Sequence, residues 1–478
     1  MYSANISTID SFCGDIVREY FHTLDVARDF RIADEGELEI LRQEALNIVF
    51  EHFYDIEDKE FLCLLDVFAG KQGDQKLRET VLKISEFLTT QPFPDKWLDD
   101  MSEKYSETQI SKSVWGNIII DYARNAVLHA INLTENSLKR LSEDAKLYEK
   151  LSPLFEGDKA YFTLVQKKFA KSSWDEIVRA VSSFEVGRMT APKGYKDNPI
   201  KVFVSSNRDE VKNTVKKLQS VFAMKEESIR KELSQLHKFI TALFVLTREY
   251  DKKLSELKVK KNILSFADIE SLTVKLLAKP DDENGYAKTV QAQEISNRFD
   301  AVMVDEFQDV NDVQDLIFKS VSKDESNLFV VGDVKQSIYS FRLSRPELFM
   351  QKYNTYSLED SDRQRIDLHK NFRSRGEVLD SVNYIFRRIM KKEMGGIEYD
   401  DSAALYLGAK FPKTEEIEAK RYISSECERN TDLFKTELLI LKDRDKEAEN
   451  VRRSEARMIA RRIKSLMRGG VVSDKKTG

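Results

Sequence analysis

The sequence predicts an α/β protein, a parallel sheet whose strands end in carboxylates, interrupted by a large helical insertion. Two observations carry this expectation. Apolar runs at 301–304 and 328–331 each stop at acids and flank a segment with helical periodicity. Residues 30 to about 260 form long, charged stretches with few glycines, broken at "QPFPD" and "APKGYKDNP".

Composition sets the outer limits. The 478 residues are 41% hydrophobic and 33% charged, enough for two or three domains with soluble-type surfaces. A net charge of −5 argues against a polybasic nucleic-acid coat, so any such binding must come from local features. Cys13, Cys63 and Cys427 lie far apart with no CxxC pair, which argues against a zinc or iron–sulfur site and suits a reducing cytoplasm. No apolar run approaches the roughly 20 residues of a membrane span, and "MYSANISTIDSF" lacks the pattern of a signal peptide.

The elements follow in order. Residues 5–22 read as a short strand and then a helix with Phe12, Ile16, Val17, Tyr20 and Phe21 on one stripe. Lysine runs in the helical stretch, such as "KVKK" at 258–261, read as solvated helix faces. "LSFADIESLTVKLLA" predicts an amphipathic helix capped by Ser265. "FDAVMVDE" predicts a strand, "VNDVQDLIFKSVSK" a helix buried through Val313, Leu316, Ile317 and Val321, and "NLFVVGD" a second strand. Strand–helix–strand predicts a right-handed unit of a parallel sheet. Further on, Ser374 and Glu377 predict a capping box for a helix with the stripe Val378, Leu379, Val382, Ile385, Phe386 and Ile389. Residues 452–468 predict a basic amphipathic helix.

Three stretches carry chemistry. Asp305 and Glu306 end one strand and Asp333 follows the other. Ligands of open parallel sheets sit beyond the carboxyl ends of the strands, where acids can hold Mg²⁺ against nucleotide phosphates or orient a water. Such a pair also fits a strand that simply ends at the surface. In "VVGDVKQSIYSFR", Gln336 offers an amide to a phosphate or a water. Tyr339 and Phe341 beside Arg342 form a stacking platform for single-stranded bases, or the aromatics of a core strand. "NFRSR" places Arg373 and Arg375 at a helix N-terminus, suited to a transition-state phosphate or to an ordinary capping loop.

Together these stretches resemble superfamily 1 helicases of the UvrD/Rep/RecB kind. "VDEFQD" is similar to their motif II, "VGDVKQSIYSFR" to motif III and "LHKNFRS" to motif IV. "ISTIDSFC" at 6–13 resembles the T-x-H-S DNA-contact motif through Thr8 and Ser11; Asp10 stands where many members have histidine, so no contact is carried over to that side chain. "STIDSFC", Lys335 and "YDDSAALYLGA" bring it nearest the AddA type of helicase–nuclease, with RecB close by. The resemblance implies a RecA-like P-loop NTPase sheet, incomplete here, with ATP and Mg²⁺ as cofactors. Asp305 and Glu306 would hold the metal, with Glu306 as base. Gln336 and Arg373 would meet the γ-phosphate. Thr8, Ser11, Tyr339, Phe341 and Arg342 would meet DNA.

The implied domains are 1–27, part of the first motor domain; 28–262, an inserted helical subdomain; 263–364, the rest of the first motor domain; and 365–478, the start of a second. The implied partners are single-stranded and duplex-end DNA and an AddB-like protein, in double-strand-break repair with 3′→5′ translocation. No G-x-x-x-x-G-K-[ST] pattern occurs among the 17 glycines. The chain is therefore expected to be an internal piece, lacking the phosphate loop, motifs V and VI and the nuclease domain, and to hydrolyse little ATP alone. The alternatives are a non-catalytic single-stranded-DNA-binding or scaffold protein, and a UvrD-like helicase without nuclease.

Overall fold

The computed structural model describes residues 4–68, 73–106, 109–184, 187–195, 197–338, 341, 343–392, 397–411, 435–441 and 448–469. They form helices with four small two-stranded sheets, which fits the α/β class. The strands are β1 (Arg31–Ile32), β2 (Ile263–Leu264), β3 (Ala278–Asp281), β4 (Gly285–Lys288), β5 (Val302–Val304), β6 (Leu328–Val330), β7 (Lys370–Asn371) and β8 (Tyr406–Leu407). They pair β1–β2, β3–β4, β5–β6 and β7–β8, so a single larger sheet is not what these residues build. The chain divides into two compact units, 1–302 with 311–328, and 303–310 with 329–478.

In the first unit, the N-terminal helix Ile9–Glu19 shares one core with residues from the far side of the helical stretch. Cys13, Ile16, Val17 and Tyr20 cluster with Leu264, Ile269, Val274, Val313, Ile317 and Val321. The expected strand before this helix is not formed: residues 4–8 carry no strand, and Thr8 caps the helix by accepting from Ser11 N–H at 3.3 Å. A cap needs an extended residue with a free hydroxyl, and Thr8 supplies both.

The two ends of the helical stretch are tied together. β1 and β2 pair in parallel, Arg31 opposite Ile263 and Ile32 opposite Leu264. Arg31 N–H donates to Asn262 C=O at 3.1 Å, and the Asn262 amide reaches Asp29 Oδ1 at 3.2 Å. Asn262 has φ +52°, which reverses the chain after the helix Glu226–Lys260; asparagine tolerates that region better than most residues. Between these ends run helices with their own cores, one joining Leu38–Val81 to Leu246–Leu257 and another built on Trp174, Phe162 and Phe222. A buried ion pair, Arg208 with Asp158, lies within the latter helices.

Ser265 caps Phe266–Leu277 as expected, and Asp268 closes a capping box while pairing with Lys258 at 2.9 Å. The helix Asp312–Val321 buries Val313, Leu316, Ile317 and Val321.

In the second unit, helix Gly376–Ile389 departs from expectation at its start. Arg375 is the cap residue without a side-chain cap bond, so Ser374 and Glu377 form no box. Asn371 Oδ1 instead accepts from Arg373 N–H at 2.9 Å and Ser374 N–H at 2.8 Å, and Glu377 pairs with Arg375 at 3.3 Å. An Asx turn uses those donors first. Of the expected stripe only Leu379 is buried; Val378, Ile385 and Ile389 are exposed. The basic helix spans Ala448–Gly469. No helix among the described residues is long and apolar enough to cross a membrane.

Candidate functional site

The site is built where β5 and β6 end. Val331 N–H donates to Val304 C=O at 2.8 Å and Phe307 N–H to Val331 C=O at 2.9 Å, so both strands deliver their following loops to one place. The bonds advance in the same direction along both strands, as in a parallel pair. Asp305 and Glu306 follow β5 and are exposed. Asp305 Oδ1 accepts from Glu306 N–H at 2.9 Å. Glu306 has φ +52° and ψ +39°, a left-handed conformation that disfavours side chains. Strain of this kind in a non-glycine residue is concentrated at functional sites.

Gln308, in the short turn Phe307–Asp309, fixes this arrangement and is 1% exposed. Its Nε2 donates to Glu306 Oε2 at 2.7 Å and to Asp309 Oδ2 at 3.2 Å. Its Oε1 accepts from Asp333 N–H at 2.9 Å. Gly332 lets the two loops approach: a Cβ there would lie 2.7 Å from Gln308 Oε1 and 3.2 Å from its backbone nitrogen. Asp333 in turn accepts from Gln336 Nε2 at 3.0 Å and pairs with Lys335 at 2.8 Å. Burial pushes the Asp333 carboxyl up, but the hydrogen bonds from Lys335 and Gln336 outweigh it and hold the group below the usual carboxylate range. Asp309 is raised, first by burial and then by Glu306, against the Gln308 bond; its Oδ1 is buried with no hydrogen-bond partner.

Asp305, Glu306 and Gln336 are thus joined through Asp333 and Gln308. Arg373 is exposed in its turn, and among the described residues no hydrogen bond or ion pair joins it to Asp305, Glu306 or Gln336. Phe341 is 72% exposed. Tyr339 and Arg342 lie outside the described residues. Thr8 and Ser11 belong to the first unit, both exposed, and there the Thr8 hydroxyl serves as a helix cap. Behind them, burial raises the Asp10 and Glu270 carboxyls and pushes the Cys13 thiol up to about 12, while Gln314 donates to Glu270 at 2.8 Å. Gln308 was not among the residues singled out by sequence. Its signal was an amide lodged between acids in "DEFQD", a place where only a group with both a donor and an acceptor fits.

No group of three metal-ligating side chains occurs among the described residues. Mg²⁺ does not require one, since it is held by one or two carboxylates with substrate phosphates and water. The exposed, adjacent oxygens of Asp305 and Glu306 fit that donor set.

The site and its helical surroundings define a class. The UvrD/REP helicase N-terminal domain family matches residues 1–357, and the chain belongs to that family. Among its relatives, an AddA-type ATP-dependent helicase/nuclease from Clostridium botulinum is 34% identical over 87% of this chain and 34% of its own length. Proteins of the same name from Lachnoclostridium phytofermentans and Bacillus cereus are 33% and 35% identical, over 98% and 99% of this chain and 36% and 38% of theirs. The chain spans little more than a third of the length of these relatives.

Proposed function

We propose that this chain forms part of an ATP-driven DNA helicase motor of the AddA helicase/nuclease type, acting in double-strand-break repair and recombination. The observation that carries the reading is the hydrogen-bonded path from Glu306 through Gln308 and Asp333 to Gln336, at the carboxyl ends of two paired strands. Asp305 and Glu306 would hold Mg²⁺, which supplies charge neutralisation at the phosphates. Glu306, oriented by Gln308, is placed to accept the proton of an attacking water. Gln336 would exchange its bond to Asp333 for one to the γ-phosphate. Arg373 would meet the same phosphate, and Phe341 with Tyr339 and Arg342 would stack on single-stranded bases. Thr8 and Ser11 would contact the DNA backbone.

The cores support a RecA-like motor domain, 1–27 with 263–364, because the N-terminal helix packs with residues beyond the helical stretch. The pairing of β1 with β2 supports 28–262 as an inserted subdomain, and β7 with the Arg373 turn supports a second motor domain from 365. An AddB-like partner, duplex-end DNA and a cytoplasmic setting follow from the same reading.

A fluorescent ATP analogue titrated with and without Mg²⁺ tests the site. Weak binding that requires Mg²⁺ and is lost in Asp305→Asn supports it; binding indifferent to both overturns it. A second reading, a non-catalytic single-stranded-DNA-binding protein, is favoured by one observation: the sequence holds no Gly-Lys-Ser or Gly-Lys-Thr. Positioning supplies most of phosphoryl-transfer catalysis, so turnover by this chain alone is expected to be low and unchanged by Glu306→Gln.

A further inference from the structure

We propose that Gln308 is a positioning residue that couples the Glu306 loop to the Asp333–Gln336 loop, so that a ligand drawing Gln336 away from Asp333 is felt at Glu306. The structural half of this inference stands alone; the ligand half rests on the function proposed above.

The argument begins with the orientation of one amide. The Asp333 backbone N–H can only donate, so Gln308 Oε1 must face it. Ionised Glu306 and Asp309 can only accept, so Nε2 must face them, and its two hydrogens match the two carboxylates. The amide therefore has one satisfiable orientation, set by its partners. No other side chain of this size carries a donor pair at one corner and an acceptor at the other. Gln308 is buried and Gly332 leaves Oε1 no alternative space, so the amide cannot be exchanged for water without opening the loops.

Asp333 extends the path. Its backbone is held by Gln308, and its carboxylate is occupied by Lys335 on Oδ1 and Gln336 on Oδ2. In this state Gln336 is parked on Asp333. To reach a phosphate it must leave, and Asp333 then keeps Lys335 alone. A shift of Asp333 changes the bond its backbone makes to Gln308, and Gln308 carries the change to Glu306 through the opposite edge of the same rigid amide.

Hydrogen exchange of the full chain separates the two halves. Gln308→Met keeps the volume and removes all three bonds. Faster exchange is expected in both 305–310 and 331–337. Exchange unchanged from wild type would mean that Gln308 only fills space, and the coupling is overturned. Gln308→Glu keeps the acceptor for Asp333 and loses the donor, so only 305–310 should loosen; equal loosening of both segments contradicts the assigned orientation. Adding Mg²⁺ with ATPγS should alter exchange of both segments in wild type at one nucleotide concentration. In Gln308→Met the two responses should separate, and responses that stay together overturn the ligand half. No response in wild type overturns the nucleotide reading, and the ligand half with it, while the comparison without nucleotide still decides the role of Gln308.

Discussion

Gln308 holds the carboxylate of Glu306 at 2.7 Å while Glu306 itself stands in the left-handed backbone region at φ +52°. The amide thus steadies a residue whose own backbone disfavours its position. Glu306→Gly and Glu306→Ala both remove the carboxylate, but only alanine retains the backbone penalty. Urea unfolding should find the glycine variant more stable than the alanine variant by about 1 kcal/mol. Equal stability would show that the conformation is not strained.

Gly332 tests how close the loops must come. A Cβ there would meet Gln308 Oε1 at 2.7 Å and a Phe349 ring carbon at 3.3 Å. Gly332→Ala should displace the Gln308 amide from Asp333 and destabilise the second unit by about 1–3 kcal/mol. Thermal unfolding checks this, with a wild-type melting temperature as the contrary result.

Helix starts give a paired comparison. Ser265→Ala removes a working cap and should cost about 1 kcal/mol, as should Asn371→Ala, whose Oδ1 accepts two backbone N–H groups. Ser374→Ala should change stability very little, because Ser374 caps nothing. Urea midpoints of the three variants measure the ranking.

Asp251 provides a pH dependence. Burial lifts its carboxyl to about 6 from an ordinary 3.8, against the hydrogen bond donated by Ser85. Between those values the folded chain keeps a proton that the unfolded chain has lost. The stability is therefore present at acid pH and is lost as pH rises through about 4 to 6. Asp251→Asn keeps an acceptor for Ser85 and carries no charge. It should match wild type near pH 4 and exceed it by about 3 kcal/mol near pH 8. A constant difference across that range would contradict the assignment.

Much of this was legible in local sequence. The strands at 302 and 328 and the helix at 312 follow from apolar runs and periodicity, and Ser265 from its spacing to Asp268. Ser374 misled because the same spacing recurs there, and only the three-dimensional path of the turn shows that Asn371 takes the donors first. The strand expected before Thr8 failed because an extended segment needs a partner to become a strand, and sequence does not show which edge is available. Gln308 was hidden for a related reason. Its importance lies in Asp333, which no local pattern brings to it.

The most direct test of the motor reading links its two ligands. Single-stranded DNA affinity would be measured by fluorescence anisotropy, with and without Mg²⁺ and ATPγS. Expected is binding that Phe341→Ala weakens about tenfold, in keeping with the loss of one stacked base. Mg²⁺ with ATPγS should shift the wild-type affinity, and Asp305→Asn should abolish that shift. Absence of DNA binding, or DNA binding that ignores nucleotide in the wild-type chain, would contradict it.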